Sequence, residues 1–184
     1  MASTGLIIGI VVGVIVLFVI LLYNSLIRLR NQVRNSWAQI DVQLKRRNDL
    51  IPNLVESVKG YMKHERAVLE NVTKARTSMM SATTTEGKAK ASDMMTGALK
   101  SLFAVAENYP TLKANENFLQ LQEEITGTEN KISYARQHYN DIVMVFNTKI
   151  ETFPNNIFAK QLNFKQEQLF KTAEEEKKNV KVKF

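Results

Sequence analysis

The sequence contains no cysteine and has few prolines, glycines and histidines. Without cysteine it can form neither a disulfide framework nor a thiolate metal site. Three prolines and seven glycines in 184 residues favour long helices over many short strands. Tyr61 and Ala135 stand three residues before the two histidines, so the Glu-x-x-His repeat of a carboxylate-bridged di-metal bundle is missing. These absences predict an all-α protein that holds no metal or other cofactor.

The recognised catalytic motifs are also missing. There is no glycine-rich phosphate loop, no serine nucleophile elbow and no His-Glu-x-x-His motif. His138 and Asp141 lie one helical turn apart, a spacing more typical of a solvated surface pair than of a site. The net charge of +7 is concentrated beside the apolar run described next and in the C-terminal tail, without an RNA-binding motif. We therefore expect no enzymatic activity, no small-molecule substrate and no nucleic-acid partner.

One long apolar run, Leu6 to Tyr23, contains no charged residue, and no charged side chain precedes Arg28. Roughly 20 apolar residues in a helix cross the ~30 Å hydrocarbon core of a bilayer. In lipid, only a helix satisfies its own backbone hydrogen bonds in a single span. The remaining chain is too small to bury such a helix on every side. The run predicts one transmembrane helix, with the lipid bilayer as its partner and Tyr23 as an interfacial anchor.

Three arginines follow the apolar run closely: Arg28, Arg30 and Arg34. A secretory signal has its positive charge before the apolar core, so we expect a retained anchor. Positive residues stay on the cytoplasmic side, which predicts a single-pass protein of the cell (inner) membrane with its N-terminus outside and its C-terminal domain in the cytoplasm. We expect these arginines to face anionic lipid headgroups.

Gly5, Gly9 and Gly13 recur every four residues within or beside this run. Such a face lets a second helix approach closely, and close packing drives helix association in lipid. The spacing predicts transmembrane packing between copies of the chain, and hence a homo-oligomer.

The first long helix continues beyond the membrane. Apolar residues recur at spacings of three and four from residue 33 to residue 72, as in a coiled-coil seam. Pro52 lies inside this pattern, yet the apolar phase is the same on both sides of it. We favour a kinked but continuous helix to about Met79. The alternative is a helix that ends near Arg47 and restarts at Pro52, where proline suits a first turn.

Two positions of this seam, Arg47 and Glu65, are charged. If they face the bundle they need partners, because an unpaired buried ion is very costly. The alternative is that both long side chains reach solvent at the bundle edge.

Downstream we predict a polar turn, a short helix, a second long helix and one or two short closing helices, at Ser81–Lys88, Ala89–Asn108, Asn115–Phe153 and Asn156–Glu176. Asn115 is a suitable N-cap, and Tyr109–Pro110 and Phe153–Pro154 end the preceding helices. The two long helices share one seam period, so they should pack as an elongated antiparallel bundle closed by the shorter helices. We divide the chain into an anchor (1–30), the bundle (31–176) and a basic tail (177–184).

Two runs closely resemble the LemA family of prokaryotic membrane-anchored proteins: YNSLIRLRNQVRNSWAQIDVQLKRRNDLIPNLVESVKGYMKHE and ENYPTLKANENFLQLQEEITGTENKISYARQHYNDIVMVFNTKIETFP. The resemblance covers the chain from the apolar run to about Pro154. It implies a single-pass protein with its N-terminus outside, a cytoplasmic antiparallel helical bundle, and no established enzymatic activity or cofactor. A magnetosome-membrane branch of the family implies a role in forming membrane compartments.

Within the matching runs, ten polar or geometrically restricted positions lie on the two long helices, and we expect several to form an interhelical network or an assembly surface. They are Arg46, Arg47, Asp49, Pro52, Asn53, Glu124, Asn130, Arg136, Tyr139 and Asn140. The resulting hypothesis is a membrane-anchored scaffold that self-associates and organises or remodels membrane. The alternative is a monomeric, membrane-tethered adaptor for a protein partner such as a membrane protease or quality-control factor.

Overall fold

The computed structural model describes residues 2–171, and every regular element in that range is a helix. Six helices follow in chain order: α1 (Ala2–Lys59), α2 (Arg66–Ser81), α3 (Thr85–Ala106), α4 (Pro110–Lys113), α5 (Glu116–Glu151) and α6 (Asn155–Gln161). The prediction of an all-α protein with two long helices and shorter ones between and after them is confirmed. The predicted tail, 177–184, lies outside the described residues, and the three-part division of the chain stays a prediction.

Helix α1 begins with the apolar run. Its large apolar side chains from Leu6 to Leu17 are 51–66% exposed. Within the described part of the chain it is the one helix long and apolar enough to cross a membrane. The predicted N-terminal apolar helix is therefore present, and no described part of the chain covers its large apolar side chains from Leu6 to Leu17.

Pro52 lies inside α1, so the continuous helix is correct and the restart at Pro52 is wrong. The predicted end at Met79 is also wrong, because α1 ends at Lys59 and the chain turns before α2 begins at Arg66. The turn is closed by backbone bonds from Tyr61 and Met62 to the carbonyl of Val58, at 3.0 and 2.9 Å. The unchanged apolar phase concealed the break, because Val58 and Val72, both buried, are two whole heptads apart.

The other helix boundaries differ from prediction by a few residues. The polar turn is shorter, because Thr84 caps α3 by accepting a hydrogen bond from the amide of Gly87 at 3.0 Å. Asn115 caps α5 as predicted, accepting from the amide of Phe118 at 3.1 Å. Of the predicted closing helices, one is present. It is α6, and the described residues after it form no further helix.

Contacts divide the described chain into two compact units. The first contains the residues up to Trp37 together with His138–Glu167. In it α1 and α5 are antiparallel: Lys149 Nζ donates to Ser25 Oγ at 2.8 Å, and the rings of Trp37 and Tyr139 lie 5.4 Å apart. This order of contacts fixes which residues of α1 and α5 lie side by side.

After α6 the chain turns back along α5 in this first unit. Asn163 takes a left-handed conformation (φ 55°), and the amide of Phe164 donates to the carbonyl of Ala159 at 2.9 Å, as in a Schellman helix end. Asn147 then bonds both backbone groups of Glu167, each at 2.9 Å. These bonds hold an extended segment against α5.

The second unit contains Ala38–Gln137 and the described residues from Gln168 onward. Its core takes apolar residues from five helices, α1 to α5. Buried members include Leu54 and Val58 of α1, Val72 of α2, Leu102 of α3, Leu112 of α4 and Phe118 of α5. In this unit, too, α1 and α5 are antiparallel. Asn115, just before α5, donates to the hydroxyl of Tyr61, just after α1, at 3.4 Å, whereas the earlier Arg46 of α1 faces the later Glu124 of α5. This unit is a closed helical bundle.

Candidate functional site

The most prominent polar feature of the second unit is a buried arginine on α1. The Arg47 side chain is 1% exposed and forms an ion pair with Glu129 of α5. One guanidinium nitrogen also donates to Thr96 Oγ1 at 3.2 Å, and the other donates to Ser92 Oγ at 2.9 Å. Thr96 in turn donates to the second carboxylate oxygen of Glu129 at 2.7 Å. A single buried charge thus connects α1, α3 and α5.

Burial lowers the pKa of Arg47 from its ordinary value, because the apolar surroundings disfavour the charged form. The carboxylate of Glu129 opposes this shift by charge attraction and by its hydrogen bond. Arginine has so high a pKa that the guanidinium stays charged at neutral pH. The cluster is therefore a satisfied internal ion pair.

Arg136 of α5 lies beside this cluster. Its Nη1 atom lies 3.4 Å from Asp93 Oδ1, and its guanidinium carbon lies 4.9 Å from the centre of the Phe170 ring. Phe170 is fully buried, so the cation covers an aromatic ring of the C-terminal segment in this unit. Of the ten candidate positions, the second unit brings Arg47 and Arg136 into one polar region.

A second group of candidates lies on the surface of the same unit. Arg46 and Glu124 are both more than half exposed and 3.9 Å apart. They line an open groove of about 320 Å³, and Glu124 also lines a neighbouring groove of about 470 Å³ with Asn53. Asn130 borders another open groove, and Asp49 and Pro52 are exposed.

The first unit contains Tyr139 and Asn140. Tyr139 is 3% exposed, and burial, aided by the negative charge of Glu167, raises its pKa to about 12. Asn140 is half-buried beside it in sequence. The ten candidate positions therefore fall into three groups. The second unit contains a buried polar cluster and exposed groove residues, and the first unit contains the pair Tyr139 and Asn140.

The remaining predicted positions lie near the apolar run. Arg28 and Arg34 are exposed, whereas the guanidinium carbon of Arg30 lies 5.1 Å from the centre of the Phe164 ring. A Cβ atom added at Gly5, Gly9 or Gly13 would meet no atom of a neighbouring described residue within 4 Å, so this glycine face is open within the described chain. Glu65, the second charged seam position, is half-buried and accepts from the Tyr109 hydroxyl at 3.3 Å.

Within residues 2–171 no three histidine or acidic side chains gather as metal ligands. The polar cluster around Arg47 lies inside the bundle, and the grooves described above are open to solvent. Neither arrangement brings an activated nucleophile and a general base together. The geometry is that of a helical bundle in which the buried charge of Arg47 connects three neighbouring helices.

Comparison with protein families decides the relationship, because the family model described as "LemA family" matches residues 36–184. The chain belongs to the LemA family. The resemblance seen in the sequence had ended near Pro154, whereas the family match continues through the C-terminal segment. A member named Protein LemA, from Metamycoplasma hominis, is 32% identical over 162 residues, covering 85% of this chain and 72% of that protein.

More distant relatives come from Paramagnetospirillum magneticum. Magnetosome proteins MamQ 1 and MamQ 2 are each 23% identical over 174 residues. The match covers 80% of this LemA-family chain and 64% of each MamQ protein, so less than two thirds of their length is represented here.

Sequence reasoning did not identify the partners of Arg47. Ser92, Thr96 and Glu129 are common residue types on helices whose buried faces were predicted from apolar residues alone. Ser92 and Thr96 precede the buried apolar residue Leu99 of α3 by seven and three residues, so all three lie on one face of the helix, and this spacing was the available signal. Their convergence on Arg47 depends on how α3 packs against α1 and α5.

Proposed function

We propose that this LemA-family protein is a non-enzymatic, membrane-anchored structural protein that self-associates at the membrane and organises or remodels it. The observation that carries the proposal is helix α1. It runs without a break from an exposed apolar run into the core of a helical bundle. The anchor and the bundle therefore share one continuous helix, which suits a structural protein.

Self-association is supported by the open glycine face at Gly5, Gly9 and Gly13. No side chain of the described residues fills it, so a second helix has room to pack there. Two relatives carry the name magnetosome protein, which agrees with a structural role at a membrane compartment.

The proposed orientation places the N-terminus outside and the chain after the apolar run in the cytoplasm of a cell with an inner membrane. It rests on Arg28, Arg30 and Arg34, which follow the apolar run. Protease treatment of sealed inverted membrane vesicles tests it. Digestion of the helical units is expected, and full protection would reverse the orientation.

Particle mass of the full-length protein in lipid nanodiscs or mild detergent tests self-association. A chain starting at Asn31 is measured beside it, with circular dichroism to verify that it remains helical. Discrete full-length assemblies that are lost on truncation are the expected result. A monomer in both cases would remove the scaffold function and leave a monomeric adaptor, whose partner would then be sought by crosslinking in membranes.

A further inference from the structure

The turn between α5 and α6 exposes apolar side chains where the chain meets the end of the apolar run. We define the α5–α6 corner as residues 153–162. Phe153, Ile157 and Leu162 are 79%, 54% and 43% exposed, and Lys160 between them is also exposed. Phe153 continues the seam of α5, whose preceding member, Ile150, is buried. The apolar residues that continue the seam of α5 are therefore exposed, not buried, at this corner.

The position of this corner along α1 follows from contacts within the first unit. Lys149 Nζ bonds Ser25 Oγ, and the two helices are antiparallel. Phe153 lies four residues beyond Lys149, and Ser25 lies three residues before Arg28, the first charged side chain. At 1.5 Å per residue the corner is displaced about 10 Å from Arg28 toward the apolar run.

Burial along α1 supports this position independently. Leu21 is 60% exposed, whereas Leu22 and Leu26 are 6% and 0% exposed. One side of the last turns of the apolar run is thus covered by other residues of the chain, and the side of Leu21 is open. The covering residues must lie at the depth of that turn.

We propose that the α5–α6 corner is a second membrane contact, which inserts Phe153 and Ile157 into the interfacial region of the leaflet where α1 enters the bilayer. Apolar side chains beside exposed lysines are the chemistry that binds a lipid surface: the apolar groups enter the acyl boundary and the ammonium groups meet phosphate. Lys160 and Lys165 are both exposed and supply the cations. This inference rests on the membrane anchor of the proposed function.

The occupant is lipid because this apolar surface lies at the level of a helix turn that already needs lipid. The corner reaches the level of an α1 turn whose outward side chain, Leu21, belongs to the exposed apolar run. A second copy of the chain covering the corner is the competing occupant, and the experiment separates the two.

The absence of cysteine allows a direct test with the full-length protein in nanodiscs. Single-cysteine variants Phe153→Cys, Ile157→Cys, Phe18→Cys and Met144→Cys carry a small environment-sensitive fluorophore. Met144 is the matched control, because it is an exposed apolar residue of α5 in the same unit, about 14 Å further from the corner along the helix. Quenching is measured with nitroxide-labelled lipids and with iodide in the water phase.

We expect labels at residues 153 and 157 to be quenched by shallow nitroxide lipids and protected from iodide. The label at residue 144 should respond only to iodide, and the label at residue 18 only to lipid. Iodide quenching at 153 and 157, with lipid quenching kept at 18, would overturn the corner contact and leave the anchor intact. Labels at 153 and 157 shielded from both quenchers would show a protein cover instead. Loss of lipid quenching at 18 would overturn the anchor itself and the corner contact with it.

Discussion

Among the described residues, Arg47 is the one charged side chain that is buried, so changes to its ion pair should affect the stability of the bundle. Its guanidinium is 1% exposed, while the carboxylate of Glu129 is 34% exposed. Removing the Glu129 carboxylate leaves the buried guanidinium of Arg47 without a counter-charge. Removing the Arg47 guanidinium costs less, because the partly exposed carboxylate of Glu129 can be hydrated instead. The hydrogen bonds that Arg47 donates to the neutral hydroxyls of Ser92 and Thr96 do not replace a counter-ion.

Glu129→Gln should lower the free energy of unfolding by about 2–3 kcal/mol, because it leaves a buried guanidinium without a counter-charge. The double variant Arg47→Met with Glu129→Gln should lose less than the two single variants together, since both charges are then gone. Denaturant unfolding of the full-length protein in mild detergent, followed by circular dichroism, gives these values.

The control for this prediction is the neighbouring pair Arg46 and Glu124, in which both side chains are more than half exposed. Glu124→Gln should change the free energy of unfolding by no more than about 0.5 kcal/mol. Equal losses for Glu124→Gln and Glu129→Gln would contradict the special role of the buried pair.

Tyr139 should make the free energy of unfolding depend on pH in the alkaline range. Its pKa is about 12 in the folded protein and about 10 in an unfolded chain. Its contribution is fully present below pH 10 and is lost as the pH rises toward 12, because the unfolded chain releases the proton first. Relative to Tyr139→Phe, the wild type should lose about 2 kcal/mol of unfolding free energy over this range. Parallel pH curves for the two proteins would refute the prediction.

At the scale of elements, α1 is continuous through a proline. Pro52 cannot donate to the helix, and such a position normally costs about 3 kcal/mol. The flanking core residues Ile51 and Leu54 are buried, so tertiary packing holds the helix across this defect.

Pro52→Ala should therefore raise the free energy of unfolding, by about 1–3 kcal/mol, because it restores a backbone donor at an exposed position. Pro110→Ala is the matched control. Pro110 is the first residue of α4, where proline suits the helix, so its replacement should be neutral or slightly destabilising. Thermal unfolding compares the stability of the two variants. An equal gain in stability for both would show that proline costs no more inside α1 than at the start of α4.

Element boundaries show what apolar periodicity can and cannot predict. The caps at Asn115 and the apolar phase through Pro52 were local signals and gave correct helices. The turn after Lys59 was missed because Gly60 is a weak signal beside an unbroken heptad phase. Phe153 continues the α5 seam in sequence but is exposed, since α5 ends two residues earlier.

At the scale of the whole molecule, association within the membrane is predicted to depend on the glycine face. The double variant Gly9→Leu with Gly13→Leu places two bulky side chains where a partner helix would pack, so it should reduce the particle mass in nanodiscs toward that of a monomer. Val11→Leu with Ile15→Leu, on the opposite face of α1, is the control and should keep the assembly. An unchanged particle mass for the glycine variant would show that self-association does not use this face of α1.

From the amino-acid sequence we could predict the helical class, the apolar N-terminal helix and most of each buried face. These features follow from local composition and from a helical period that repeats over tens of residues. Tertiary structure decided the partners of Arg47, the fold-back at residues 60–65 and the return of the C-terminal segment along α5. Those features depend on side chains far apart in the chain meeting at one place, as Ser92 and Glu129 do at Arg47. Residue spacing within one helix carries no information about such meetings, because they are fixed only when the helices pack.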